Sequence, residues 1–375
     1  MMNDVMSFWW ENITGPQMLI DKIALCLSEG KNVVLELEES LPWQEQMRDL
    51  VMYRLDGVHP DWMEWEGVKG QGEIVPKLLQ NFHRNKLNIC PTEYSAQLEY
   101  LKKEGIFRDT VVWLTFVGDA DPLQLVRFLS DYRGEGLEKQ GVFLAEIITG
   151  QHLPKLSGSM EVIRGKDYMR CGDILLYSNI LADGKRKFPE ELKNYIAHVA
   201  ANLAGQDVEL IPGILEEINF ENEDPVEALH RLWEQGYPAC SGHVPTREEI
   251  SRRVWKAQLQ SAFAGIEMER LRITEEYAND IEEAIGTEYW DSKWNRSGYI
   301  TQHGEEIESA SDVELGTMVR MMSLRRNDDR GRYLLYFPDD QLRNWIVFLT
   351  DCRNNLAHHK VCTPEQICRL LRMRE

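Results

Sequence analysis

The sequence predicts an α/β domain with a central parallel sheet, followed by an all-helical C-terminal region. Strand-like and helix-like segments alternate in the first half of the 375 residues, which is the pattern of a layered α/β domain. The runs 110–117 and 141–148 are apolar on both faces, as in strands of a parallel sheet that helices cover. Strand signals disappear after Asp173, and helical spacing punctuated by Pro and Gly continues from there.

Local patterns predict the individual elements. Apolar, β-prone runs predict strands at 32–38, 62–68, 110–117, 141–148 and 160–163. Amphipathic spacing predicts helices between these strands at 19–27, 43–55 and 122–132. Beyond the sheet, the same spacing predicts helices at 173–181, 189–203, 208–219, 225–235 and 247–285.

The chain is longer than one hydrophobic core usually serves, so more than one domain is expected. We predict an α/β domain at 1–165, a helical lid-like subdomain at 166–245 and a helical domain at 246–375. The first boundary falls within 150–165. The second falls within 236–245, where two prolines and two glycines interrupt the helices.

Composition and charge exclude several classes of protein. No segment reaches the ~20 apolar residues of a membrane span, and the N-terminus lacks the pattern of a signal peptide. A soluble, cytoplasmic protein without membrane contact is therefore predicted.

Seven cysteines without a CxxC pair do not indicate a disulfide framework. The net charge of −20 argues against a surface that binds nucleic acid everywhere, but 1–250 carry −17 and 251–375 only −3. A polyanion site is expected in the C-terminal third.

The region after the first predicted strand lacks a phosphate-binding loop. Residues 36–44 read Glu-Leu-Glu-Glu-Ser-Leu-Pro-Trp-Gln, with neither Gly nor Lys, and three carboxylates there would repel a triphosphate. Residues 118–121, Gly-Asp-Ala-Asp, follow a predicted buried strand, as in the acidic end of a Walker B strand. In element order, 15–235 resembles P-loop ATPases of the AAA or STAND kind, and 195–207 resembles their helical subdomain.

That resemblance, without a Walker A motif, implies a degenerate P-loop-NTPase-like module that serves structure or sensing. No cofactor is predicted, and whether this module binds a nucleotide stays open. A working ATPase with an unusual phosphate site is the alternative. A sheet of unrelated ancestry also remains open.

The best candidate active site lies in 351–359, Asp-Cys-Arg-Asn-Asn-Leu-Ala-His-His. An Asp cap at 339 or 340 predicts a helix that runs to about His358. Its apolar stripe directs Asn354 and His358 away from the core and leaves Arg353 on the flank; the stripe comprises Trp345, Phe348, Leu349, Cys352 and Leu356. Residues 363–366, Thr-Pro-Glu-Gln, predict the start of another helix, so a tight turn should carry His358 and His359.

The residues Arg353, Asn354 and His358 match a known motif. This stretch resembles the HEPN family (higher eukaryotes and prokaryotes nucleotide-binding), all-helical domains whose ribonuclease members have Arg, four to six further residues and then His, often with Asn directly after Arg. The resemblance covers about 250–375, and 314–322 resembles an earlier helix of such a domain. It implies a HEPN-like helical bundle that cleaves RNA as a homodimer through the C-terminal domain, with Arg353, His358 and Asn354 as catalytic residues.

These residue types suit RNA cleavage without a metal. The 2′-hydroxyl of RNA is the nucleophile, so the site needs a base, an acid and a cation for the phosphate. Histidine transfers protons near neutral pH, and arginine donates two hydrogen bonds to phosphate. On a straight helix Arg353 and His358 lie ~140° apart, so a dimer or a bend is required. A cluster suited to the RNA backbone consists of Arg325, Arg326, Arg330 and Arg332.

Other interpretations of these residues stay open. A histidine at a helix end ordinarily lies in a solvated C-terminal turn. Residues 325–332 ordinarily form a charged loop. A zinc set is also conceivable, although tetrahedral sites usually have tighter paired spacing, so no metal is predicted; the set would use Cys352, His358, His359, Cys362 and Cys368.

The sequence as a whole favours an endoribonuclease effector of a bacterial anti-phage, abortive-infection or toxin system, controlled by the NTPase-like domain. The expected partners are RNA, a second copy of the chain and a protein of the same defence system. The alternative is a non-catalytic adaptor or scaffold subunit of a multi-protein defence complex.

Overall fold

The computed structural model describes residues 2–56, 58–116, 122–132, 140–150, 152–235, 245–286, 307, 309–326 and 331–372. Two compact units make up the chain: Met1–Tyr177 with Gln206–Glu209, and Ser178–Gly205 with Leu210–Glu375. The division between them falls beyond the predicted boundary at 165. Apart from Pro245, the predicted seam at 236–245 lies outside the described residues.

The first unit contains a parallel sheet. Its strands are β1 (Asn32–Leu37), β2 (His59–Trp65), β3 (Thr110–Phe116), β4 (Val142–Ile148) and β5 (Met160–Arg164). They lie in the order β2-β3-β4-β1-β5, and every neighbouring pair is parallel. The predicted parallel α/β sheet is confirmed. Only β2 is displaced from its predicted range, 62–68. It begins at His59 and includes Pro60, which an edge strand tolerates.

Helices cover the sheet. Those of the first unit are α1 (Met2–Asn12), α2 (Thr14–Ser28), α3 (Gln44–Arg54), α4 (Ile74–Phe82), α5 (Tyr94–Lys103) and α6 (Leu123–Asp131). On one face of the sheet, Val112 and Phe143 pack in a core with Leu78 of α4 and Leu125 of α6. The predicted helices at 19–27, 43–55 and 122–132 correspond to α2, α3 and α6.

A buried carboxylate joins the sheet to α3. Glu146 on β4 is 2% exposed, and Arg48 of α3 donates two hydrogen bonds to it, at 2.9 and 2.6 Å. The indole N–H of Trp113 donates a third bond at 2.8 Å, and the Gln44 amide donates a fourth. The hydrogen bond to Glu146 raises the pKa of Arg48. A charge buried this deeply is tolerated because it is paired and its oxygens are hydrogen-bonded.

The second unit is helical. After α7 (Cys171–Asp183), which spans the division between the units, come α8 (Glu190–Ala204), α9 (Leu210–Glu217), α10 (Pro225–Glu234), α11 (Arg247–Glu276), α12 (Ala278–Ile285), α13 (Leu315–Ser323), α14 (Asp340–Ala357) and α15 (Pro364–Arg372). Helix α11 packs against α8, α10, α14 and α15. A helical C-terminal region is thus confirmed.

Two details of this unit differ from the sequence-based expectations. The single helix predicted at 247–285 is two helices, because Tyr277 leaves the helical conformation at φ −111° and ψ 27°. Much of the predicted lid-like subdomain at 166–245 belongs to the same compact unit as the C-terminal helices, since α8 packs against α11 and α15. Within the described part of the chain, no helix is long and apolar enough to cross a membrane.

Replacing the buried carboxylate tests its role in the sheet. Glu146→Ala is expected to lower the free energy of unfolding by about 3–5 kcal/mol, because the Arg48 guanidinium then loses its counter-charge while half-buried. Urea unfolding followed by tryptophan fluorescence measures this change. The control is Glu99→Ala, which removes an exposed ion pair with Lys103 on α5 and should leave stability unchanged. Equal losses in the two variants would contradict the assignment.

Candidate active site

Helix α14 positions the Arg-Asn-Asn-Leu-Ala-His stretch. The Asp339 side chain caps its first turn by accepting the Gln341 N–H at 2.7 Å. The predicted apolar stripe is buried except for Phe348, which is half-buried. Helix α15 begins with the predicted capping box: Thr363 N–H donates to the Gln366 side chain at 2.9 Å, and Gln366 N–H donates to the Thr363 hydroxyl at 3.2 Å.

The chain reverses directly after α14. His358 is the C-cap residue, and His359 follows at φ 58°, in the left-handed region where glycine is usual. Lys360 N–H donates to the Asn355 carbonyl at 2.8 Å, and His359 N–H donates to the Leu356 carbonyl at 3.4 Å. These two bonds form a Schellman motif. The helix therefore ends at Ala357. The angle of ~140° between Arg353 and His358, which holds for a straight helix, does not apply because His358 lies beyond the helix end.

Helix α11 holds this turn through two side chains. The Trp255 indole donates to the Leu356 carbonyl at 2.7 Å, and its ring lies 4.6 Å from the His359 ring. The buried Gln258 amide donates to the Cys362 carbonyl at 2.9 Å and accepts the Cys362 N–H at 2.7 Å. Sequence reasoning missed Trp255 and Gln258, because nothing in the pattern of α11 marks them as partners of a turn about 100 residues later.

The polar residues of the motif differ in exposure. Asn354, His358 and His359 are exposed, whereas the Arg353 side chain is 23% exposed and lies 3.5 Å from Glu314. Among the described residues, no hydrogen bond or ion pair joins Arg353 to His358. A guanidinium has five N–H donors, so one long contact with Glu314 leaves donors for a phosphate.

The predicted RNA-binding arginines lie apart from the motif. Glu314, the partner of Arg353, precedes the first residue of α13, whereas Arg325 and Arg326 follow its last turn. The nine residues of α13 separate the two places by about 14 Å. Arg330 lies outside the described residues. The structure therefore brings Arg353, Asn354 and His358 to one helix end, whereas the described arginines Arg325 and Arg326 lie at the other end of α13 from Glu314.

Near the end of α13, the arginines contact aromatic and acidic groups. The Arg325 guanidinium lies 5.3 Å from the centre of the Tyr333 ring. Arg326 donates to Glu283 at 2.7 Å, and its backbone N–H donates to the Arg332 carbonyl at 2.7 Å. Part of the predicted positive charge is thus neutralised within the chain.

The cysteines of this region are packing residues. Cys352, Cys362 and Cys368 are buried, and the Cys362 thiol donates to the Cys352 carbonyl at 3.8 Å. The hydrogen bond with Cys362, together with burial, raises the pKa of Cys352. Nowhere in the described ranges do three or more His, Cys, Asp or Glu side chains form a group that could hold a metal ion.

The carboxyl end of β1 is the place where a phosphate loop would begin. Glu36 is 6% exposed; it accepts the Leu153 N–H at 2.8 Å and contacts the His152 ring at 2.7 Å. Burial alone would raise the pKa of Glu36, but the hydrogen bonds from Leu153 and His152 and the nearby Arg164 outweigh it and lower that pKa. Glu36 is therefore an internal anchor for the chain after β4, not an open carboxylate that repels a ligand.

A carboxylate also contacts the N-terminal end of α3. In P-loop ATPases, the helix after the first strand receives a phosphate at this end. Trp43, at φ 45°, precedes α3, and its N–H donates to the Glu209 side chain. Helix N-termini attract anions, and here the anion is a residue of the chain itself. The Walker-B-like residues at 118–121 lie outside the described residues.

No protein-family model matches this chain, and no curated protein matches it. The resemblances to HEPN domains and to P-loop ATPases therefore rest on motif residues and element order.

A pH series tests the anchoring role of Glu36. Glu36→Gln is expected to lower the free energy of unfolding at neutral pH by about 1–3 kcal/mol, because a neutral amide loses the charge-assisted hydrogen bonds. The folded-state pKa of Glu36 is depressed, so its contribution is present above the unfolded value, about 4.3, and is lost as the pH falls through the folded value. The stability gap between parent and variant should therefore shrink below about pH 4.3.

The control is Glu38→Gln, which changes an exposed ion pair with Lys166 at the same edge of the sheet. It should leave stability nearly unchanged at every pH. A gap for Glu36→Gln that stays constant into the acid range would contradict the assignment.

Proposed function

We propose that the helical C-terminal unit is a metal-independent endoribonuclease of the HEPN type, with its active site at 353–359. The proposal rests on the turn after α14, which α11 holds through three hydrogen bonds. His358 and His359 are exposed in this turn, and in the last turn of α14 Asn354 is exposed and Arg353 is half-buried. A catalytic group gains most from a backbone that is fixed before the substrate arrives.

Each residue has a role in this chemistry. Arg353 binds the scissile phosphate, and Asn354 orients that phosphate or His358. His358 takes the proton from the 2′-hydroxyl or gives one to the leaving 5′ oxygen, and a second group must perform the other transfer. Five residues lie between Arg353 and His359, so His359 also fits the family pattern of Arg, four to six further residues and then His. A homodimer through the C-terminal unit would supply a second copy of the motif.

We infer a sensing or structural role for the first unit, as a degenerate NTPase-like module. The lack of Gly and Lys at 36–44 and the Glu209 carboxylate next to α3 support this role over a working ATPase. Together the two units fit an effector of a bacterial anti-phage, abortive-infection or toxin system, in which the RNase acts when a trigger is sensed.

A non-catalytic adaptor is the second candidate. One observation favours it: Arg353 and Arg326 pair with Glu314 and Glu283 of the same chain, which reduces the charge available to RNA. An adaptor would not cut RNA and would form a stable complex with one defined protein of the same defence system.

Cleavage assays in EDTA test the nuclease proposal. The protein is expected to cut RNA and leave 2′,3′-cyclic phosphate ends, because the 2′-hydroxyl is the nucleophile. Arg353→Ala and His358→Ala should each lower the rate by roughly 10²–10⁴-fold. Gel analysis of labelled RNA measures the rates, and circular dichroism checks the fold.

Two controls separate catalysis from packing. Glu314→Gln removes the ion pair but keeps Arg353, and Lys360→Ala changes an exposed side chain of the same turn. Both variants should still cut RNA. Arg353→Ala or His358→Ala protein that cuts at the parental rate, or activity that requires an added metal, would contradict the proposal.

A further inference from the structure

Two exposed tyrosines follow α13 in the C-terminal unit. Tyr333 is 41% and Tyr336 is 55% exposed. Their rings are nearly parallel, at 11°, with centres 6.4 Å apart. Aromatic rings ordinarily bury most of their surface in a core, so two neighbouring rings that face solvent in one orientation suggest a ligand surface.

The backbone of this segment is fixed. Leu334 N–H donates to the Leu324 carbonyl at 2.7 Å, and Leu335 N–H donates to the Met321 carbonyl at 3.3 Å. Leu334, Leu335 and Phe337 are all buried. The buried residues hold the segment down, and the two tyrosines therefore project from a rigid support.

Arginines lie against the tyrosines. The Arg325 guanidinium is 5.3 Å from the centre of the Tyr333 ring, and the Arg343 guanidinium is 5.1 Å from that of Tyr336. Arg343 is held in place by Asp340 and by the Phe337 carbonyl. The two rings lie side by side with one guanidinium against each, and this arrangement offers both stacking surfaces and phosphate contacts.

A cavity of about 470 Å³ adjoins the rings. It is lined by both tyrosines and by Arg326, Arg332, Leu334, Asp280 and Glu283. This volume lies within the range of about 300–1,000 Å³ that is usual for small-ligand sites. Glu283 is paired with Arg326, and the Asp280 carboxylate adds a hydrogen-bond acceptor for the exocyclic amino group of a base.

We propose that Tyr333 and Tyr336 form a stacking platform for unpaired bases of single-stranded RNA, with Arg325 and Arg332 next to the adjoining phosphates. The identity of the ligand rests on the proposed ribonuclease function. Single-stranded RNA exposes base faces that stack on aromatic rings and guanidinium groups, whereas a duplex hides them. The platform lies at the opposite end of α13 from Arg353, so it binds the strand at a distance from the cleaved bond.

Fluorescence anisotropy with a short labelled single-stranded RNA tests the platform. Binding is measured in His358→Ala protein, so that the RNA stays intact. Tyr333→Ala and Tyr336→Ala are each expected to raise Kd by roughly 5- to 150-fold, the range that a stacked base contributes. Tyr333→Phe and Tyr336→Phe keep the ring and should stay within about two-fold, and a duplex of the same sequence should bind more weakly.

The matched control is Tyr53→Ala, which removes an 81% exposed tyrosine of the first unit and should leave Kd unchanged. Alanine variants that bind like the parent, equal binding of duplex and single strand, or a parent that binds no RNA would each overturn the platform. If the alanine variants weaken binding but the chain with His358 intact cuts no RNA, the platform stands and the nuclease proposal fails. If that chain cuts RNA and the variants bind normally, the nuclease stands and the platform fails.

Discussion

The reciprocal hydrogen bonds between the Gln258 side chain and the Cys362 backbone fix the loop that joins α14 to α15. Both peptide groups are buried, and each would cost about 1–3 kcal/mol if it had no partner. With the Trp255 bond to Leu356, they hold a turn in which His359 takes a left-handed conformation. The exposed motif residues depend on this support, because a frayed helix end would present no fixed arrangement to the proposed substrate.

Local patterns predicted much of the fold. The buried strands β1, β3 and β4 and the capped helices α14 and α15 lie where apolar periodicity and capping residues placed them. Local patterns failed where tertiary contacts determine the ends of an element. The long helix breaks at Tyr277, whose ring packs edge-on against Phe337 at 4.9 Å, 60 residues away in the sequence. No local pattern predicted α4 and α5.

The candidate site was predictable only in part, because local patterns reveal residues that are close in sequence but not those that tertiary contacts add. Arg353, Asn354 and His358 share six consecutive residues, so a motif can reveal them. The supports and constraints around them come from distant positions: Glu314 next to Arg353, and Gln258 on α11. The position of Arg325 at the far end of α13 likewise follows from helix packing, which no local pattern encodes. In the first unit, Glu36 and Glu209 show that carboxylates near an expected phosphate site can instead have partners within the chain.

The rigidity of the turn after α14 can be measured directly by amide hydrogen exchange. Slow exchange is expected at Lys360 and Cys362, whose N–H groups donate to Asn355 and Gln258. Gln258→Leu should accelerate exchange at Cys362, whereas Gln260→Leu, exposed on the same helix, should not. Exchange in the parent as fast as in an unstructured peptide, or equal rates in the two variants, would contradict a preformed site.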